Sequence, residues 1–137
     1  LSSAAQAPVE MDALRGKKRL LEDMQAYAQS KLALTMWNNA LAASYGNEGP
    51  VFVAVNPGSL LASKMVKEGF GIAGKSLSIG ADVLVRAALS EEFAGASGLY
   101  FDNDKGQFGP PHPDAMSGAK CASIVTAIEE LVGPSKR

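Results

Sequence analysis

Val51-Phe52-Val53-Ala54-Val55, followed at once by Asn56-Pro57-Gly58-Ser59, is the stretch that decides the fold of this chain. The first five residues are apolar without interruption and rich in β-branched side chains, which is typical of a strand buried on both faces in a parallel sheet. In open α/β sheets, ligands bind beyond the carboxyl ends of the strands. The turn at 56–59 is therefore a candidate binding element, although an ordinary strand-exit turn would have the same composition.

A long helix is predicted before this strand, and shorter elements after it. Residues 20–45 contain neither Gly nor Pro, their apolar side chains recur at three- and four-residue steps, and Gly46 follows as a C-cap. Beyond the strand we expect helices over 60–68, 76–93 and 114–132, the last capped by Asp114, and a second strand over 98–101 that ends in a turn at 102–106. This order predicts an α/β fold.

Composition limits the classes of protein to which the chain can belong. It has 137 residues, 47% apolar and 20% charged, which is enough to bury the core of one domain. A net charge of −1 argues against a nucleic-acid-binding protein, and one Cys with one His argues against a zinc site, so we expect no metal. No apolar run reaches the roughly 20 residues of a membrane helix, and no basic-then-apolar leader stands in the printed residues, so we expect a cytoplasmic protein with no membrane partner.

Within the long helix, Tyr27 and Lys31 stand four residues apart and therefore share a face. A nearby cation favours the phenolate, so such a tyrosine can exchange a proton with an alcohol or carbonyl oxygen near neutral pH. The lysine could also hold a ribose hydroxyl. By spacing alone, an ordinary pair of helix-surface residues explains the pattern better.

The order of these motifs resembles the C-terminal half of the short-chain dehydrogenase/reductase family, and most closely its bacterial, retinol-dehydrogenase-like members. The resemblance covers nearly the whole chain: Ser2-Ser3 at a strand end, Tyr27-x-x-x-Lys31 on a long helix, then a buried strand and Asn56-Pro57-Gly58. It implies the C-terminal half of a doubly wound, parallel-sheet, Rossmann-like domain, with 1–137 as part of that single domain. The dinucleotide-binding half would precede Leu1, and we expect the chain to be a fragment.

The resemblance also implies roles for individual residues. Tyr27 would be the proton donor and acceptor, Lys31 would hold the nicotinamide ribose, and Ser3, with Ser2 as the alternative, would polarise the substrate carbonyl. The nicotinamide side of the site would be lined by Pro57, Gly58 and Ser59, and Ser63 would supply the hydroxyl near the carboxamide and phosphates. The implied function is an NAD- or NADP-dependent oxidoreductase that interconverts an alcohol and a carbonyl. Its partner would be the missing N-terminal half or another copy in a homo-oligomer, and the fragment alone would be inactive.

Two other functions stay open at the level of sequence. Gly69 to Ser76 matches the G-x-x-x-x-G-K-S pattern of a phosphate-binding P-loop, which would make the chain a nucleotide-binding fragment. That loop requires a buried strand immediately before its first glycine, and residues 64–68 do not have the composition of one. A flexible lid over the substrate is the better interpretation of these glycines. The chain could also be a non-catalytic assembly module.

Overall fold

The computed structural model describes residues 1–133, and these form an α/β fold. The α-helices are α1 (Met11–Leu14), α2 (Asp23–Tyr45), α3 (Lys64–Phe70), α4 (Leu77–Leu89) and α5 (Gly118–Val132). The strands are β1 (Ala54–Asn56), β2 (Tyr100–Asp102) and β3 (Gln107–Gly109), and short 3₁₀ helices span Glu91–Phe93 and Pro113–Met116. The α/β class expected from the order of the elements is confirmed.

The three strands form one mixed sheet in the order β1-β2-β3. β1 and β2 are parallel, with Val55 opposite Phe101, while β2 and β3 form an antiparallel hairpin. β3 was not predicted, because three residues are too few to show an alternating pattern. The hairpin brings the Phe108 ring against that of Phe101, with 5.0 Å between the centroids, and this contact stabilises it.

The strand predicted over 51–55 lies further along the chain, at Ala54–Asn56. Val51 is 43% exposed, so the start of the apolar run is not buried as expected. The backbone of Phe52 is bonded outside a regular ladder, because its carbonyl accepts from Gly98 N at 2.8 Å and from Asn38 Nδ2 at 3.2 Å. Apolar composition therefore predicted the strand correctly but not the residues at which it begins and ends.

The predicted helices all form, with shifted ends. α2 begins three residues later than residue 20 and ends at Tyr45, and Gly46, with a positive φ of 57°, is the expected C-cap. The helix predicted at 60–68 lies at 64–70, and the one at 76–93 ends at Leu89 before a 3₁₀ turn. Asp114 does not cap α5, since it lies in the preceding 3₁₀ helix and Ser117 is the N-cap.

Two buried clusters hold these elements together. The first joins α2 to α5 around Leu32, Met36 and Ile124. The second joins the sheet to α4 around Val55, Phe101 and Val83. None of the helices within residues 1–133 combines the length and the apolar composition needed to cross a membrane. The second cluster fixes β1 against α4, and the 56–59 turn leaves the sheet at the carboxyl end of this strand.

Candidate active site

A cavity of about 290 Å³ opens between the start of the chain, α2 and the turn that follows β1. All of the residues for which a role was predicted line it, although they come from four separate stretches of sequence. They are Ser2, Ser3, Tyr27, Lys31, Pro57, Gly58, Ser59 and Ser63. The fold therefore brings together side chains that the sequence only indicated one motif at a time.

Helix α2 alone sets the relation between Tyr27 and Lys31, both of which are half-buried. The Lys31 ammonium lies over the Tyr27 ring, with Nζ 5.6 Å from the centroid, and donates to the carbonyl of Leu1 at 3.3 Å. The cation thus packs against the face of the ring, a favourable electrostatic arrangement. A lysine in this position can reach both the tyrosine and a ligand in the cavity.

Ser2 and Ser3 differ sharply in their surroundings. Ser2 is 4% exposed, and its hydroxyl lies 2.7 Å from Oγ1 of Thr35. Because Thr35 Oγ1 donates to the carbonyl of Lys31 at 2.8 Å, the hydrogen between the two hydroxyls must come from Ser2. Ser3 is half-buried, and its Oγ accepts from Ala5 N at 3.1 Å, which leaves its own hydrogen available. Of the two, Ser3 is the one equipped to donate to a carbonyl oxygen.

The opposite wall of the cavity is the turn that follows β1. Gly58 has a φ of +128°, a region that only glycine occupies without strain. Asn56, the last residue of β1, is 2% exposed, and its Oδ1 accepts from Gly58 N at 3.2 Å. Ser63 lines the cavity as expected, and its Oγ also accepts from Val66 N at 3.3 Å as the N-cap of α3. Its hydroxyl oxygen is therefore shared between helix capping and the cavity.

Two polar residues hold this wall: Asn56, which the sequence placed in the candidate turn without a role of its own, and Asp104, which was not among the predicted site residues. Asn56 Nδ2 donates to Asp104 Oδ2 at 2.9 Å and to Asp102 Oδ1 at 3.0 Å. A signal was present, since Asp102 ends β2, Asp104 lies two residues further on, and the carboxyl ends of parallel strands meet at one edge of a sheet. Burial raises the pKa of Asp104, but hydrogen bonds from Ser59 and Asn56 and the charge of Lys75 together hold it below the ordinary value.

The rest of the cavity lining is apolar. It includes side chains from α2, from the loop before α3 and from α3 itself: Met24, Leu60, Leu61, Met65 and Phe70. Leu60 has a positive φ of 55°, a conformation unfavourable for a branched side chain. These groups give the cavity an apolar wall beside its polar end, as is common in small-molecule sites.

The Gly69–Ser76 segment does not have the geometry of a phosphate loop. Helix α3 occupies the residues where the buried strand of that motif would stand. The backbone N–H of Lys75 donates to the carbonyl of Leu60 at 2.7 Å, and Ser76 caps α4 by accepting from Ser78 N. These groups are engaged within the fold, and of this segment Phe70 lines the cavity.

Comparisons of this chain with protein-family models, with curated proteins and with solved structures found no match.

Proposed function

We propose that this chain carries the catalytic Tyr–Lys part of an NAD- or NADP-dependent oxidoreductase that interconverts an alcohol and a carbonyl. In this proposal it is the C-terminal half of a short-chain dehydrogenase/reductase domain, and a half with the glycine-rich dinucleotide loop completes it. The observation that carries the proposal is the shared cavity, in which every residue implied by the family resemblance takes part.

Each residue at the polar end has a chemical task in this reaction. Tyr27 gives its phenolic proton to the carbonyl oxygen during reduction and takes it back from the alcohol during oxidation. Lys31 supplies a positive charge over the Tyr27 ring, from where its ammonium can also reach a cofactor hydroxyl in the cavity. The Ser3 hydroxyl donates a hydrogen bond to the same substrate oxygen, where negative charge develops. Ser2 keeps a structural role, because its hydrogen is bonded to Thr35.

The dimensions of the cavity fit the nicotinamide end of a dinucleotide rather than the whole of it. Its volume of about 290 Å³ lies near the lower end of the range of small-molecule sites. Lys31 and Ser59 would hold the ribose and carboxamide groups, and Pro57 with Gly58 would pack beside the ring. When bound, the nicotinamide supplies or accepts the hydride.

Nicotinamide fluorescence tests this function without any assumption about the substrate. The intact protein, with its dinucleotide-binding half, is titrated with NADH and with NADPH, and we expect saturable binding of at least one. Lys31→Met should weaken this binding about tenfold, since it removes one charge-assisted hydrogen bond.

Lys17→Met is the control for this titration, because Lys17 is exposed and lies outside the cavity. It should leave the affinity unchanged. Absence of saturable binding of either nucleotide, or equal affinities of wild type and Lys31→Met, would contradict the proposal.

A further inference from the structure

The last residue of β2 and the two residues after it contact the turn at 56–59 on the side away from the cavity. Asp102, Asn103 and Asp104, which we call the 102–104 clasp, stand beside the turn because β1 and β2 are parallel neighbours. The backbone N–H of Asn103 donates to the carbonyl of Asn56 at 3.1 Å, and its Nδ2 donates to the carbonyl of Pro57 at 2.9 Å. The first half of the turn is thereby fixed to the sheet.

Asp104 fixes the second half. Its Oδ1 accepts from the backbone N–H of Ser59 at 2.8 Å, and its Oδ2 accepts from the Ser59 hydroxyl and from Asn56 Nδ2. Three donors thus converge on one carboxylate, although Asp104 itself is an exposed residue. Hydrogen bonds to an ionised acceptor are shorter and stronger than neutral ones.

The turn needs such support because its own conformation is unusual. Gly58, with its φ of +128°, is flanked by Pro57, which has no N–H to donate. Apart from the bond between Gly58 N and Asn56 Oδ1, the polar contacts of the 56–59 backbone named above come from the clasp. The carboxylate therefore has a direct influence on where the wall of the cavity lies.

We propose that Asp104 is a positioning residue, which holds Pro57, Gly58 and Ser59 in the geometry that receives the nicotinamide end of the cofactor. This inference rests on the proposed oxidoreductase function and adds to it a residue that does not line the cavity. Asp104 acts only through the turn, so its loss should impair cofactor binding while proton transfer at Tyr27 continues.

The test compares Asp104→Ala and Asp104→Asn with wild type in the intact protein. The first readout is the hydrogen-exchange rate of the Ser59 amide, measured by NMR. We expect it to rise about tenfold or more in Asp104→Ala, because the acceptor of that N–H is lost. Asp104→Asn keeps the size and one acceptor oxygen, so we expect a smaller rise and a variant that folds even if Asp104→Ala does not.

The second readout separates positioning from general support of the fold. We expect the KM for the cofactor to rise about tenfold, with a much smaller change in kcat. Asp114→Ala is the matched control, because Asp114 is a half-buried carboxylate that pairs with Lys120 away from the cavity. It should change neither readout.

The outcomes are distinguishable. An unchanged Ser59 exchange rate in both variants would overturn the inference whatever the protein catalyses. Faster exchange with an unchanged cofactor KM would also overturn it, because Asp104 would then support the fold alone. A wild-type protein that binds neither NADH nor NADPH would overturn the proposed function and the positioning role with it, while the exchange rates would still show whether Asp104 holds the turn.

Discussion

Two adjacent serines at the start of the chain differ in their hydrogen bonds. The Ser2 hydroxyl donates to Thr35 in the interior, whereas the Ser3 oxygen accepts from Ala5 N and its own hydrogen stays available.

Substitution of each serine by alanine should therefore have a different effect. We expect Ser3→Ala to lower turnover about 100-fold, as loss of an oxyanion donor does, with little change in stability. Ser2→Ala should instead cost about 1 kcal/mol in the free energy of unfolding. Steady-state kinetics and urea unfolding of both variants check this, and a larger loss of turnover in Ser2→Ala would reverse the assignment.

Tyr100 makes the stability of the folded chain depend on pH in the alkaline range. Its hydroxyl donates to the carbonyl of Ser3 at 3.2 Å. Burial, together with the charges of Asp102 and Asp104, raises its pKa to about 12, partly offset by a hydrogen bond with Gln6. Because the unfolded chain ionises this phenol near pH 10, the stability it provides is complete below pH 10 and is lost between pH 10 and 12.

Unfolding measurements over that range, on wild type and Tyr100→Phe, test this dependence. The wild type should lose stability more steeply than Tyr100→Phe as the pH rises from 10 to 12. Parallel pH profiles would show that Tyr100 ionises normally in the folded chain.

At the residue scale, sequence reasoning found the cavity but not its support. Tyr27 and Lys31 were predictable because helical spacing fixes their relation, and Pro57 to Ser59 because they follow a buried strand. Asp104 was not, because its place beside Ser59 depends on how β2 ends and turns back into β3. The parallel pairing of β1 and β2 indicates which edge of the sheet these residues share, but which carboxylate meets Ser59 depends on that hairpin, a tertiary feature.

At the scale of elements, the loop that carries α3 is held closed at one short contact between residues 60–62 and 74–75, which we call the base of the loop. Leu61 and Lys75 form a β-bridge, and Gly74 packs there so closely that a Cβ would lie 2.8 Å from the backbone of Ala62. Gly71 also has a positive φ, of 65°, but nothing within 4 Å of the same position.

These two glycines form a matched pair for testing the base. Gly71→Ala should cost about 1–2 kcal/mol for its left-handed conformation alone. Gly74→Ala, with a φ of 77°, meets the same penalty and a clash, so we expect a larger loss. Amide exchange of Ala62 and Lys75, whose N–H groups bond across the base, should accelerate in Gly74→Ala and stay near wild type in Gly71→Ala. Equal effects of the two substitutions would mean that the base is not tightly packed.

The lengths of the elements explain why some of them were predictable from sequence and others were not. α2 is long and periodic, so its existence and its C-cap at Gly46 could be predicted from sequence, and both are confirmed. The short strands depend on partners far away in sequence. For this reason the predicted bounds of β1 were shifted from the observed ones, and β3 was not predicted. The mixed sheet is shared by many α/β folds, so membership of a Rossmann-like domain stays a prediction.

At the scale of the whole molecule, α4 leaves much of its apolar surface exposed among residues 1–133. Only Gly80 and Val83 of this helix are buried, while Leu89 is 82% and Val85 57% exposed. Exposed apolar surface of this kind marks interaction sites in folded proteins. We propose that a second copy of the chain covers it.

We expect the purified 137-residue chain to self-associate at micromolar concentration, as measured by sedimentation velocity. Replacing Val85 and Leu89 by lysine should shift it towards monomer. Val132→Lys is the control, because Val132 is 78% exposed on α5, away from α4. A wild-type chain that is a well-folded, cooperatively melting monomer would contradict this expectation.

The central claim is that Tyr27 transfers the proton in a nicotinamide-dependent reaction. The most direct measurement is turnover of the intact protein with NAD and NADP over a panel of alcohols, compared between wild type, Tyr27→Phe and Tyr45→Phe. Tyr45 is the control, since it lies on the same helix with its ring 5.3 Å from that of Phe52 and does not line the cavity. We predict a loss of about 100-fold or more in kcat for Tyr27→Phe, with cofactor binding retained and Tyr45→Phe unaffected. Near-normal turnover in Tyr27→Phe would contradict the account.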